Sequence, residues 1–158
     1  MSHIILFIHL LCGVSFFGVM IASFVYIAKS IRQNEPALLQ YTIKTSLLAD
    51  CVIFPIILIQ ILTGTFLVYH HHLPLNTPWI IVAYLVFSLV SMVWFLLGII
   101  KYINISSEKS SVFRFKKLFY VLNIVMIILF CMIIHDAVTQ QTWLFYGSIN
   151  RWCAKLSA

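Results

Sequence analysis

The groups in this 158-residue chain best able to hold a metal or cofactor are six histidines and four cysteines, set against only four acids. His9, in "HIILFIHLLCGV", and His135, in "CMIIHDAV", each interrupt a long apolar run. Three more, His70, His71 and His72, stand together in "LVYHHHLPLNTPW". Neutral imidazoles from two different helices suit the axial positions of a haem iron packed between them. A macrocycle needs room. Gly13 lies one turn from His9 on the same helical face, and Gln60, Gly64, Leu67 and His71 recur at helical spacing on another. The cofactor set expected from the sequence is therefore His9 with His135, His70 in reserve, and Gly13 and Gly64 as the openings.

A bare metal is the competing ligand. Cys12 follows His9 by three residues and Cys131 precedes His135 by four, so each pair shares a helix face. Together His9, Cys12, Cys131 and His135 would make a set suited to copper or zinc. The plainer reading treats the histidines as polar groups at a membrane edge, and for His71 and His72 it is the better one. Consecutive residues point in different directions and cannot all enter one site.

These residues need elements to position them, and composition names the solvent of those elements. The chain is 63% hydrophobic and 9% charged, with a mean hydropathy of +1.06. No soluble domain of this size can hide so much apolar surface, so the surroundings are lipid. Spanning takes about 20 apolar residues. Four stretches qualify, near 4–28, 46–69, 78–100 and 118–138. The first reads as a retained helix rather than a cleaved signal, since it lacks a basic leader and a small-residue cleavage site. Short connections make the whole a single transmembrane domain over 1–158, an all-α antiparallel up-down four-helix bundle.

The net charge of +6 points away from nucleic acid, because the cations cluster between apolar runs. Lys29, Arg32 and Lys44 follow the first span; Lys101, Lys109, Arg114, Lys116 and Lys117 follow the third. Only Arg151 and Lys155 fall elsewhere. Eight cations against two put the first and third connections in the cytoplasm and both termini outside. His9 then sits roughly 8 Å from the outer end of its helix and His135 roughly 5 Å from its own. They share a layer with His70.

The other polar residues read as supports. Asp50 is expected to snorkel or to pair with Lys44 or Lys116. Pro55 frees a carbonyl that Gln60, Thr63 or water would satisfy. Asn123 suits interhelical bonding, and Asp136 could orient His135. "KSIRQNEPALLQ" reads as a polar connection in which Pro36 opens a short interfacial helix. "NTPW" reads as the start of the third span, with Pro78 at its first position. Residues 139–158 mix tryptophans and cations and read as an interfacial tail. No phosphate-binding loop, serine-hydrolase elbow, zinc-protease motif or covalent haem motif is present.

"HIILFIHLLCGVSFFGVMIASFVYIAKS", "DCVIFPIILIQILTGTFLV" and "TPWIIVAYLVFSLVSMVWF" together resemble a family of bacterial predicted integral membrane proteins of unknown function. The shared points are His9, Asp50, the Gly64 region and "TPW". More distantly, His9 with Phe16, Phe17 and Gly18, and Pro55 with Thr63 and Gly64, look like HemJ-type protoporphyrinogen oxidases and copper-resistance D membrane domains. The former carry a histidine opening the third helix, which "TPWIIVAYLVF" lacks, so their oxidation chemistry is not carried over. The resemblance implies a haem-related or metal-related role.

The expectation is thus a multi-pass protein of the bacterial inner membrane that binds a b-type haem near its outer face. It would transfer electrons, with a quinone as partner, or handle haem. The alternatives are copper or zinc binding or transport, and a non-catalytic accessory subunit of a larger membrane complex.

Overall fold

A computed structural model describes residues 2–106, 113 and 115–139. They form four helices and, among the described residues, no strand: α1 (Ser2–Gln33), α2 (Pro36–His70), α3 (Pro78–Ser106) and α4 (Lys116–Thr139). All four are long and apolar enough to cross a membrane. Large apolar side chains such as Phe7, Val14, Leu48, Leu62 and Phe95 face outward on every side. A helix that is apolar all round is stable only within protein or lipid.

The helices outrun their spans. α1, at 32 residues, is about 48 Å long against a hydrocarbon core of about 30 Å. The expected polar connection after it shrinks to a turn, and the expected short interfacial helix is the start of α2 itself. Asn34 adopts φ 54, the left-handed conformation that ends helices and that asparagine tolerates. Glu35 is extended, as a residue before proline must be, and Pro36 occupies the first turn of α2. Lys29, Arg32 and Lys44 therefore ride on helix ends.

The histidine run is the other end of α2. The His72 N–H bonds Tyr69 O at 3.1 Å and the Leu73 N–H bonds Val68 O at 3.1 Å, while His72 takes φ 52. This is the Schellman ending, with His72 where glycine usually stands. α3 opens at Pro78, as expected; Thr77 accepts from Ile80 and Ile81 N–H through its carbonyl.

α1 packs mainly on α2 and α3 mainly on α4, so the bundle is two helical hairpins meeting along narrower seams. His9, early in α1, meets Gln60 and Thr63 late in α2, whereas Ser30 meets Thr42 at 2.8 Å. Between the hairpins Thr65 Oγ1 lies 2.9 Å from the Tyr84 hydroxyl. The core runs up the middle: Phe16 is edge-on to Trp94 and to Phe130, and Phe24 lies against Phe119 and Tyr120. Met126, Val90 and Ile27 are fully buried beside them.

Candidate functional site

His9 is held by α2 from two sides. Its Nδ1 lies 3.0 Å from Thr63 Oγ1 and its Nε2 lies 3.1 Å from Gln60 Nε2. The Thr63 hydroxyl donates to Ile59 O at 2.7 Å, which leaves its oxygen to accept from the ring. His9 therefore donates from Nδ1 and presents a lone pair on Nε2, toward which the Gln60 amide donates. That hydrogen-bond pattern assigns the tautomer. The Gln60 Oε1 is buried without a partner among the described residues.

The two glycines make this arrangement possible. A Cβ on Gly64 would stand 3.0 Å from His9 Cε1, and one on Gly13 would stand 3.4 Å from Gln60 Nε2. Each opening is thus filled by a polar side chain of the opposite helix: His9 against Gly64, Gln60 against Gly13. The sequence marks these glycines as openings and leaves Gln60 and Thr63 as satisfiers of the Pro55 region; the structure turns both toward His9.

His135 and Asp136 lie near the end of α4. His135 Nδ1 is 3.2 Å from Asp136 Oδ1, and Asp136 is buried while His135 is about one-third exposed. Phe24 meets Phe119 and Phe16 meets Phe130. Continued two turns at that register, His9 is level with the His135–Asp136 turn. His70 is exposed and lies beside Phe66, with ring centroids 5.7 Å apart. Cys12 is half-buried and Cys131 exposed, both as free thiols. Among the described residues, no three of histidine, cysteine, aspartate and glutamate gather as a metal-holding group. Of the expected interfacial tail, Thr139 is the last residue of α4, and the rest, Cys153 included, lies outside the described residues.

A second polar centre occupies the seam between the hairpins. Asp50 pairs with neither Lys44 nor Lys116. Its Oδ2 accepts from Lys101 Nζ at 2.7 Å and its Oδ1 from the Trp94 indole at 3.3 Å. Lys101 belongs to α3, is 5% exposed, and is not a loop cation. Asp50 and Lys101 stand at comparable distances on either side of the turn after α2. The sequence carries that spacing, but only the register of α2 against α3 singles Lys101 out from the other cations. Asn123, buried on α4, donates to Phe119 O within its own helix at 2.8 Å rather than across helices.

The family model described as "Predicted integral membrane protein (DUF2269)" matches residues 3–136. The chain belongs to this family. No curated protein and no solved structure matches it. The match runs from the start of α1 to Asp136 near the end of α4, and so includes both polar centres.

Proposed function

We propose that this integral membrane protein works through the His9 centre, and that His9 is one ligand of a b-type haem used for electron transfer. The observation that carries the reading is the pair of contacts on the His9 ring, Thr63 Oγ1 at Nδ1 and the Gln60 amide at Nε2. A ligating histidine characteristically donates its other ring N–H to a fixed acceptor, which orients the ring and leaves a lone pair for the metal. Thr63 is that acceptor, and Nε2 is the atom left over. His135 at the same level, with Asp136 on its Nδ1, supplies the second ligand in this reading. His70 stands behind it.

The donor chemistry fits, and the spacing sets a condition. The Gln60 amide holds the ligand direction of Nε2 at 3.1 Å, so binding requires Gln60 to rotate away and reopen the face beside Gly13. A bound haem would supply one-electron chemistry. The chain's own residues do the rest: Thr63 fixes the ring, Gly64 lets it approach α2, and Phe16, Phe17 and Phe130 wall the layer below.

In this reading the His9 end faces outward across a bacterial inner membrane and both termini lie outside, which the cations between the spans support. The electron partner is a membrane quinone or a larger complex. Copper or zinc binding, for which His9, Cys12, Cys131 and His135 would first have to be drawn together, and an accessory subunit role are the alternatives.

The test is the absorption spectrum of detergent-purified protein made with ample haem. Low-spin six-coordinate bands that vanish in His9→Ala and in His135→Ala are expected. A colourless wild type would remove the reading. Full retention of the spectrum in His135→Ala would move the second ligand to His70.

A further inference from the structure

Contacts between helices fix their relative heights, and at one end of the bundle they bring four lysines to a single level. Ser30 Oγ lies 2.8 Å from Thr42 Oγ1, while His9 meets Gln60. Lys29, just before Ser30, and Lys44, just after Thr42, therefore stand at nearly the same height. Phe24 lies against Phe119 and Tyr120, while Phe16 meets Phe130. That register sets Lys116 and Lys117 within about one turn, or 5 Å, of Lys29. All four lysines are exposed.

The described acids at this end do not balance them. Asp50 is spent on Lys101 at 2.7 Å. Glu35 sits in the turn beyond Arg32, about 14 Å along α2 from Lys44. That exceeds a screening length of about 8 Å. Among the described residues none of the four lysines forms an ion pair. Glu108, Lys109 and Arg114 lie outside the described residues. At the opposite end, the described residues include no lysine or arginine.

The surface just inside the lysine level has the character of a membrane boundary. Tyr26, within a turn of Lys29, and Tyr102, next to Lys101, are both exposed. Tyrosine belongs at the headgroup level, where its ring is in lipid and its hydroxyl in water. One turn inside Lys29 and Lys44, the exposed side chains are the apolar Val25 and Leu48. Orientation alone asks only for cations in the connections. These four instead ride on the helices, at the height where phosphates lie and above surfaces that suit acyl chains. Their mutual repulsion is relieved only by anions.

We propose that Lys29, Lys44, Lys116 and Lys117 form a binding surface for anionic phospholipids, the phosphates meeting the lysines and the acyl chains lying along faces such as Val25 and Leu48. The surface is independent of the His9 centre, which is about 30 Å away along α1 from Lys29.

The full chain would be reconstituted in phosphatidylcholine vesicles carrying a trace of spin-labelled phosphatidylglycerol or spin-labelled phosphatidylcholine. Electron paramagnetic resonance then gives the immobilised share of each label. Phosphatidylglycerol should be preferred several-fold, since each cation near the surface contributes about five-fold. Replacing Lys29 and Lys44 by Gln, or Lys116 and Lys117 by Gln, should lower the preference. Replacing all four should bring it near one with helical circular dichroism unchanged; if only the paired variants fold, each must still lower it. Arg151→Gln with Lys155→Gln should leave it intact, and excess inorganic phosphate should not displace the lipid. No preference in the wild type would leave the lysines to an acidic protein partner and overturn the proposal. So would full preference in the folded quadruple variant, an equal loss on replacing Arg151 and Lys155, or displacement by inorganic phosphate.

Discussion

At the scale of the residue, His9 is defined by what α2 gives it. Interhelical hydrogen bonds in a membrane contribute about 0.6 kcal/mol on average and up to about 1.7. Thr63→Val should therefore cost about 1 kcal/mol in a reversible unfolding assay and free the ring to change tautomer. Gly64→Ala acts on the same ring through space. Its methyl would stand 3.0 Å from Cε1, so either the ring gives way or the hairpin opens. A loss of about 1–3 kcal/mol is expected, as for other overpacked sites. The same residue type plays a different part at the end of α2. His72 sits at φ 52, where a side chain costs about 1 kcal/mol, so His72→Gly should hold or raise stability and leave any cofactor in place. His72→Val, β-branched at positive φ, should lower it. Thermal unfolding in one detergent compares the two.

Elements were legible in the sequence where apolar length alone decides them. The four spans read from it fall inside α1 to α4, and Pro78 begins α3 as expected. Their ends were less legible, because Lys29, Arg32 and Gln33 are good helix formers that continue α1 past the apolar stretch. Partners were least legible. Asp50 had several cations within sequence reach, and only the relative register of α2 and α3 selects Lys101. His9 showed its face through Gly13, but nothing local revealed that Gln60 would fill that space. Removing one partner of the buried pair should cost about 3–5 kcal/mol, and removing both should cost less. A double-mutant cycle on Asp50→Asn and Lys101→Met measures this coupling. The turns carry the orientation test. In a cysteine-free background, a cysteine at Asn76 should react with an impermeant reagent added outside, and one at Asn34 should not. The reverse pattern would place the His9 end in the cytoplasm.

For the whole molecule, two hairpins joined by narrower seams carry one polar centre within a hairpin and another between hairpins. In the proposed function the first of these presents a ligand-ready imidazole guarded by Gln60. Haem titrated into the purified cofactor-free protein tests it most directly, followed by absorbance in wild type, His9→Ala and Gln60→Ala. The wild type should bind, His9→Ala should fail, and Gln60→Ala should bind more tightly because the amide over Nε2 is gone. Equal binding by wild type and His9→Ala, or weaker binding by a folded Gln60→Ala, would contradict the account.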